Sequence, residues 1–162
     1  MLLKEVILKL LLREVNKIPS LQQQLLEIEK KIQSKIKSAM QNELSQQSKT
    51  TIQMHVVTDV YNVYEPTSYS RSYDQGGLLD RDNIETKMID NNTLRIENIR
   101  RDELDGRMVD KIIEYGKGYW TQTLDDIIGA RPFIHNSFID LKNGKARDAL
   151  KRGLIREGLN IK

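Results

Sequence analysis

The sequence predicts an α+β fold: a long N-terminal helical arm, a small antiparallel sheet built on a β-hairpin, and C-terminal helices packed on it. Three observations carry that reading. No glycine or proline occurs between Leu21 and Tyr61, where Gln, Lys, Glu and Leu dominate. Two apolar-alternating runs, Asn83 to Ile89 and Thr93 to Ile99, flank the turn Asp90-Asn91-Asn92. After Arg131-Pro132, apolar residues return at helical spacing. With 162 residues the chain is expected to be one domain, an arm over 1–60 followed by a body over 61–162.

The N-terminus is the first element. Met1 to Leu12 is strongly apolar, but Lys4, Glu5 and Lys9 interrupt it, and no small-residue cleavage site follows. Leu3, Val6, Ile7, Leu10, Leu11 and Val15 recur at helical spacing instead. An amphipathic helix is expected, docking on its own core or on a neighbouring subunit, with no membrane partner and synthesis in the cytoplasm. Pro19 stops it, and Ser20 can cap the next helix. That second helix has apolar positions at Leu21, Leu25, Ile28, Ile32, Ile36, Met40 and Leu44. The early spacing of four, three and four resembles a coiled-coil seam; the later run of fours makes the stripe drift around the helix. A soft spot is expected at Ser48-Lys49-Thr50-Thr51.

Residues 61–83 read as a loop rich in Pro, Ser and paired Gly, closed by Leu78 and Leu79 tucking into the core. Tyr61, Tyr64, Tyr69 and Tyr73, four of the six tyrosines, fall in it or at its edge. The hairpin at 83–99 places Ile84, Thr86 and Met88 on one face of its first strand, and Leu94, Ile96 and Asn98 on one face of its second. A charged loop over 100–107 leads to a helical turn at Met108, Val109, Ile112 and Ile113, ended by Gly116 and Gly118 before Trp120. In the C-terminal helical region (131–158), Ile134, Phe138 and Leu141 are expected on one apolar face, with a break at Gly144. The alternating tail Leu159 to Lys162 is expected to extend the sheet to three or four strands.

Composition narrows the chemistry. The absence of cysteine excludes a disulfide, a thiolate nucleophile and Cys-ligated zinc. Only His55 and His135 are available as imidazoles, and the carboxylate of Asp59 at i+4 from His55 is weak grounds for a metal site. No catalytic residue, cofactor or metal is assigned, and the chain is expected not to be an enzyme. Glu85-x-Lys87 matches the carboxylate-x-lysine pattern of a class of metal-dependent nucleases, but the solvated face of a hairpin produces the same pattern.

Two features suit binding rather than catalysis. The tyrosine-rich loop, with Arg71, offers stiff amphipathic contact area of the kind enriched at interfaces. The candidate subunit or partner interface is therefore Leu3, Val6, Ile7, Leu10, Tyr61, Tyr64, Tyr69, Arg71 and Tyr73. Residues 131–162 carry a net charge of +5, leaving −2 for the rest of the chain. Lys145, Arg147, Lys151, Arg152 and Arg156 form a candidate basic face for phosphate backbone or an acidic partner.

Several blocks then resemble a known family. Val60-Tyr61-Asn62-Val63-Tyr64-Glu65-Pro66-Thr67-Ser68-Tyr69-Ser70-Arg71 is followed by Gly77-Leu78-Leu79-Asp80 and Asn83-Ile84. Ile112 to Tyr119, Arg131-Pro132-Phe133-Ile134 and Ala149 to Leu154 come next, in the same order. Together, over residues 55–160, they are similar to the minor tail, or tail-completion, proteins of tailed phages of Gram-positive bacteria. Residues 1–20 fall outside the resemblance. It implies a non-catalytic α+β subunit at the virion neck, commonly a hexameric ring of copies of itself. Its implied partners are a head-completion or connector protein and the tail tube or tail terminator. The basic face would then line the DNA path. A head-completion or tail-terminator protein, a DNA-binding accessory protein and a metal-dependent nuclease are the alternatives, in that order.

Overall fold

The computed structural model describes residues 21–63, 65–66, 70–119 and 128–161. The fold is mixed α+β, as the sequence predicts. Residues 1–35 and 36–162 form two compact units. The amphipathic helix expected before Pro19, with Leu3, Val6, Ile7 and Leu10, lies outside the described residues.

One helical run extends from Leu21 to Tyr61. It comprises α1 (Leu21–Ala39), a π turn (Met40–Leu44), α2 (Ser45–His55) and a second π turn (Val56–Tyr61). The soft spot expected at 48–51 is regular helix. Ser48, Thr50 and Thr51 donate their hydroxyls to the carbonyls of Leu44, Gln46 and Gln47 at 2.7, 3.0 and 2.9 Å, so none competes with the helix. The irregularity falls instead where apolar residues recur every fourth position. A 3.6-residue turn cannot hold Ile32, Ile36, Met40 and Leu44 in line, and a π turn takes up the extra residue.

The core gathers Ile52, Val56 and Val60 from this run with Leu78, Ile84 and Phe133. Leu78 is buried and Leu79 packs against the cluster, as expected. Strands β1 (Ile84–Met88) and β2 (Leu94–Asn98) pair antiparallel, with Ile84 opposite Asn98, Thr86 opposite Ile96 and Met88 opposite Leu94. That register puts the six predicted residues on one face. Asn98 is buried there because both ends of its amide are satisfied: Nδ2 donates to the Leu78 carbonyl at 3.2 Å, and Oδ1 accepts from the Arg100 N–H at 3.0 Å. Among the described residues the sheet stays two-stranded rather than growing to three or four. A lone bridge joins Arg101 to Met108, and the expected tail strand is a helix C-cap instead. Gly158 takes a left-handed φ of 79°, and the Leu159 N–H turns back to the Leu154 carbonyl at 3.0 Å.

The Gly-Gly-Leu-Leu-Asp stretch forms a hydrogen-bonded knot at the start of β1. Asp80 accepts from the backbone N–H groups of Asp82 and Gly76 at 2.9 and 2.7 Å, which hold its carboxyl below its ordinary value. Asn83 Nδ2 donates to the carbonyls of Gly76 and Gly77 at 2.9 and 2.8 Å.

Helix α3 (Val109–Tyr115) ends at Gly116, whose φ is 64°. A Cβ there would lie 2.2 Å from the Ala130 nitrogen. Helix α4 (Phe133–Asp140) meets α5 (Ala146–Arg156) through a π turn broken at Gly144, as predicted. The apolar face expected of α4 holds at Ile134, which packs against the core, but not at Phe138. Phe133 and Ser137 are the buried residues, and Phe138 is exposed. Phe133, four residues before Ser137, sets the face, and Phe138 lies about 100° further round the helix than Ser137.

α5 docks through small residues. A Cβ added to Gly153 would lie 2.7 Å from the Ala39 Cβ and 2.7 Å from Glu43 Oε2. Replacing Gly153 by Val should therefore cost about 1–3 kcal/mol from overpacking, read as a lower urea midpoint with an unchanged m-value.

Candidate functional site

The described part of the aromatic loop folds onto its own domain. The rings of Tyr61 and Tyr73 meet edge to face with centroids 5.3 Å apart. The Arg71 guanidinium sits 4.8 Å from the Tyr61 ring centroid and donates to the Tyr61 carbonyl at 3.1 Å. Tyr73 holds a left-handed φ of 44°, and the backbone around it closely approaches Gly77. Tyr64 and Tyr69 lie outside the described residues. Tyr61, Arg71 and Tyr73 are thus brought together as one cluster, which tethers the loop to the end of the long helix.

That cluster borders a cavity of about 620 Å³, whose lining includes Val60, Leu78, Val109 and Ile113 with Arg100 and Arg131. Arg131 is buried and donates to the Val60 carbonyl at 3.4 Å and the Tyr119 hydroxyl at 3.2 Å. Its guanidinium serves as a crosslink between the helix end and the segment before α4.

The basic face is divided differently from its sequence pattern. Lys145 pairs with Asp140 at 2.5 Å and Arg147 with Asp148 at 3.1 Å. Arg152 donates to the Gln47 side chain at 3.0 Å, and Arg156 pairs with the largely buried Glu43. Lys151 is exposed. Three of the five cations therefore tie α5 or its preceding turn to acceptors elsewhere in the fold, two of them on the long helix, while Arg147 pairs only with its neighbour Asp148.

Sequence reading missed a second cluster. His55 Nδ1 lies 2.8 Å from Asp59, and its Nε2 lies 3.3 Å from Asp140, which also holds Lys145. Asn136 donates to Asp59 at 2.9 Å. The i+4 spacing of Asp59 was visible in the sequence; Asp140, 85 residues after His55, was not. Burial pushes the Asp59 carboxyl up, but hydrogen bonds from Asn136, Thr58 and His55 outweigh it and hold the group below its ordinary value. The bond from Lys145 dominates at Asp140, which is also lowered. The arrangement clamps α4 to the end of the long helix.

Glu85 lies opposite Glu97 and Lys87 opposite Arg95 on the solvated face of the hairpin. Among the described residues no cluster of His, Asp and Glu could hold a metal ion. No described helix is long and apolar enough to cross a membrane.

One prediction follows from the clamp and two from the basic face. Asp59 and Asp140 are depressed in the fold, so their contribution is complete above the unfolded value of about 3.9 and is lost as pH falls through the lower folded values. Urea midpoints between pH 6 and pH 2 should then fall more steeply for the natural protein than for Asp59→Asn. Arg156→Ala should cost roughly 1–2 kcal/mol by leaving Glu43 without its partner, the loss being moderated because Arg156 itself is solvent-screened. Lys151→Ala should stay within about 0.5 kcal/mol in the same denaturation assay.

Comparison with known proteins places the chain. Residues 24–156 match the YomN family. One relative is the YomN protein derived from the SPbeta prophage of Bacillus subtilis (strain 168), 35% identical over 114 residues, which cover 67% of this chain and 74% of the relative. The prophage source of that relative supports a phage origin for this chain. No solved structure matches it. The chain belongs to the YomN family.

Proposed function

We propose that this YomN-family chain is a structural subunit of a phage or prophage particle, acting at the head–tail junction as a tail-completion or neck protein. The observation that carries the reading is the ordered series of tail-completion-like blocks, from Val60 to Leu154. All of it falls inside the stretch matched to the family. In this role the protein works by forming interfaces rather than by catalysis. Copies would assemble as a ring, of which a hexamer is the form the resemblance implies, between a head-completion or connector protein and the tail tube or its terminator. Location in the virion follows, after synthesis in the host cytoplasm.

A ring of identical subunits needs two different surfaces on each chain, since head-to-tail contacts join unlike patches. The apolar stripe of α1 supplies one. The region around Tyr73, half exposed above the Tyr61–Arg71 cluster, supplies the other. A head-completion or tail-terminator subunit would use the same surfaces. A DNA-binding accessory role ranks lower, because three of the five basic residues also tie to acceptors elsewhere in the fold.

Quantitative mass spectrometry of gradient-purified particles tests the reading. The chain should be present at a low, ring-like ratio to the major tail-tube protein. Its absence from the particles would overturn the proposal.

A further inference from the structure

We propose that the cavity beside the Tyr61–Arg71 cluster binds an amphiphilic monoanion, an apolar chain or ring that carries one carboxylate. The site stands apart from assembly and needs no partner copy. Packed protein interiors leave few voids larger than a water molecule. At about 620 Å³, this cavity instead has the size of small-molecule sites, about 300–1,000 Å³. It also has their make-up, an apolar wall with a few converging polar groups. Val60 and Leu78 belong to the buried core, and Val109 and Ile113 pack against it, so the apolar wall is continuous with the core.

Charge selects the sign of the ligand and its direction. Arg71, Arg100, Arg107 and Arg131 line the cavity, against one carboxylate among the described residues, Asp102. That carboxylate is turned to its own loop, where Oδ1 accepts from the N–H groups of Leu104 and Asp105 at 2.8 and 3.3 Å. Arg100 pairs with Glu103 at 3.0 Å and Arg107 with Asp105 at 2.6 Å. Arg71 differs from these two. Its acceptors among the described residues are neutral, the Tyr61 carbonyl at 3.1 Å and the Tyr61 ring at 4.8 Å. They fix the guanidinium in place and leave its charge to a ligand. A guanidinium fork matches a carboxylate in two parallel hydrogen bonds. Arg71 is half-buried, so the carboxylate would stay at the wet end while the apolar body reaches toward Val60 and Leu78.

Octanoate and decanoate are the probes, titrated calorimetrically into the natural full-length chain, with octylammonium as the cationic counterpart. Binding should saturate at one per chain. Decanoate should bind about fifteenfold more tightly than octanoate, since each buried methylene contributes about fourfold. Octylammonium should bind at least about tenfold more weakly than octanoate, and Arg71→Gln should weaken octanoate binding about fivefold or more. In the natural chain, the amide resonances of Val60, Leu78, Val109 and Ile113 should shift with the probe, which locates the site without any variant. Shifts confined to Leu25, Ile28 and Ile32 would place the probe on the exposed stripe of α1 and overturn the cavity assignment. Equal affinity for octylammonium would overturn it too, as would unchanged octanoate affinity in an Arg71→Gln chain that keeps the natural urea midpoint. So would a lack of saturable binding because residues 120–127 of this chain fill the cavity. The particle composition judges the assembly reading separately from all of these.

Discussion

The constraint on which the body of this protein depends is that one helical run must serve a different neighbour at each level. Between Ala39 and Glu43 it accepts α5 through Gly153 and Arg156. At Ser45 its hydroxyl meets Thr86 of the hairpin at 2.6 Å. At Lys49 and Gln53 it reaches the carbonyls of Arg81 and Leu79 at 3.1 and 2.8 Å. At His55 and Asp59 it holds α4, and at Val60 the Arg131 guanidinium. A straight amphipathic helix offers one stripe to one partner. Here two π turns re-aim the side chains, and polar contacts fill the levels where the apolar stripe has turned away.

Much of this was legible in the chain itself. The long helix could be read from the absence of Gly and Pro between 21 and 61, because backbone propensity acts locally and sums over many residues. The hairpin and its inward face were legible because strand alternation and an Asx turn are likewise local. Asn98 fitted the inward series as a polar residue; that it is satisfied there depends on Leu78, twenty positions away. Phe138 was misassigned for the opposite reason. Its hydrophobicity was read without knowing that Phe133 and Ser137 fix which side of α4 meets the core.

The candidate surfaces were legible as composition but not as roles. Tyrosines and arginines stood out, yet pairing decides whether such groups face outward or inward. Arg71 and Arg131 reach backbone carbonyls at either end of the Val60-Tyr61 step, and Arg156 reaches a glutamate more than a hundred positions earlier. Charge counted along the chain overstates the free charge on the surface wherever cations are used as internal ties. The histidine clamp is the same lesson in reverse, since an unremarkable His55 becomes a junction only when Asp140 arrives beside it.

The second π turn carries a consequence for how this sequence can vary over time. Val56 and Val60 both enter the core across it, while Tyr61 and the Val60 carbonyl meet the arginines. Losing a single residue there would restore a tidy α-helix and rotate everything beyond it by about 100°. A swap of one apolar side chain for another leaves that geometry intact. Relatives that keep this fold are therefore free to exchange one apolar residue for another at 56 and 60, but across 56–61 they are held to a fixed count of letters.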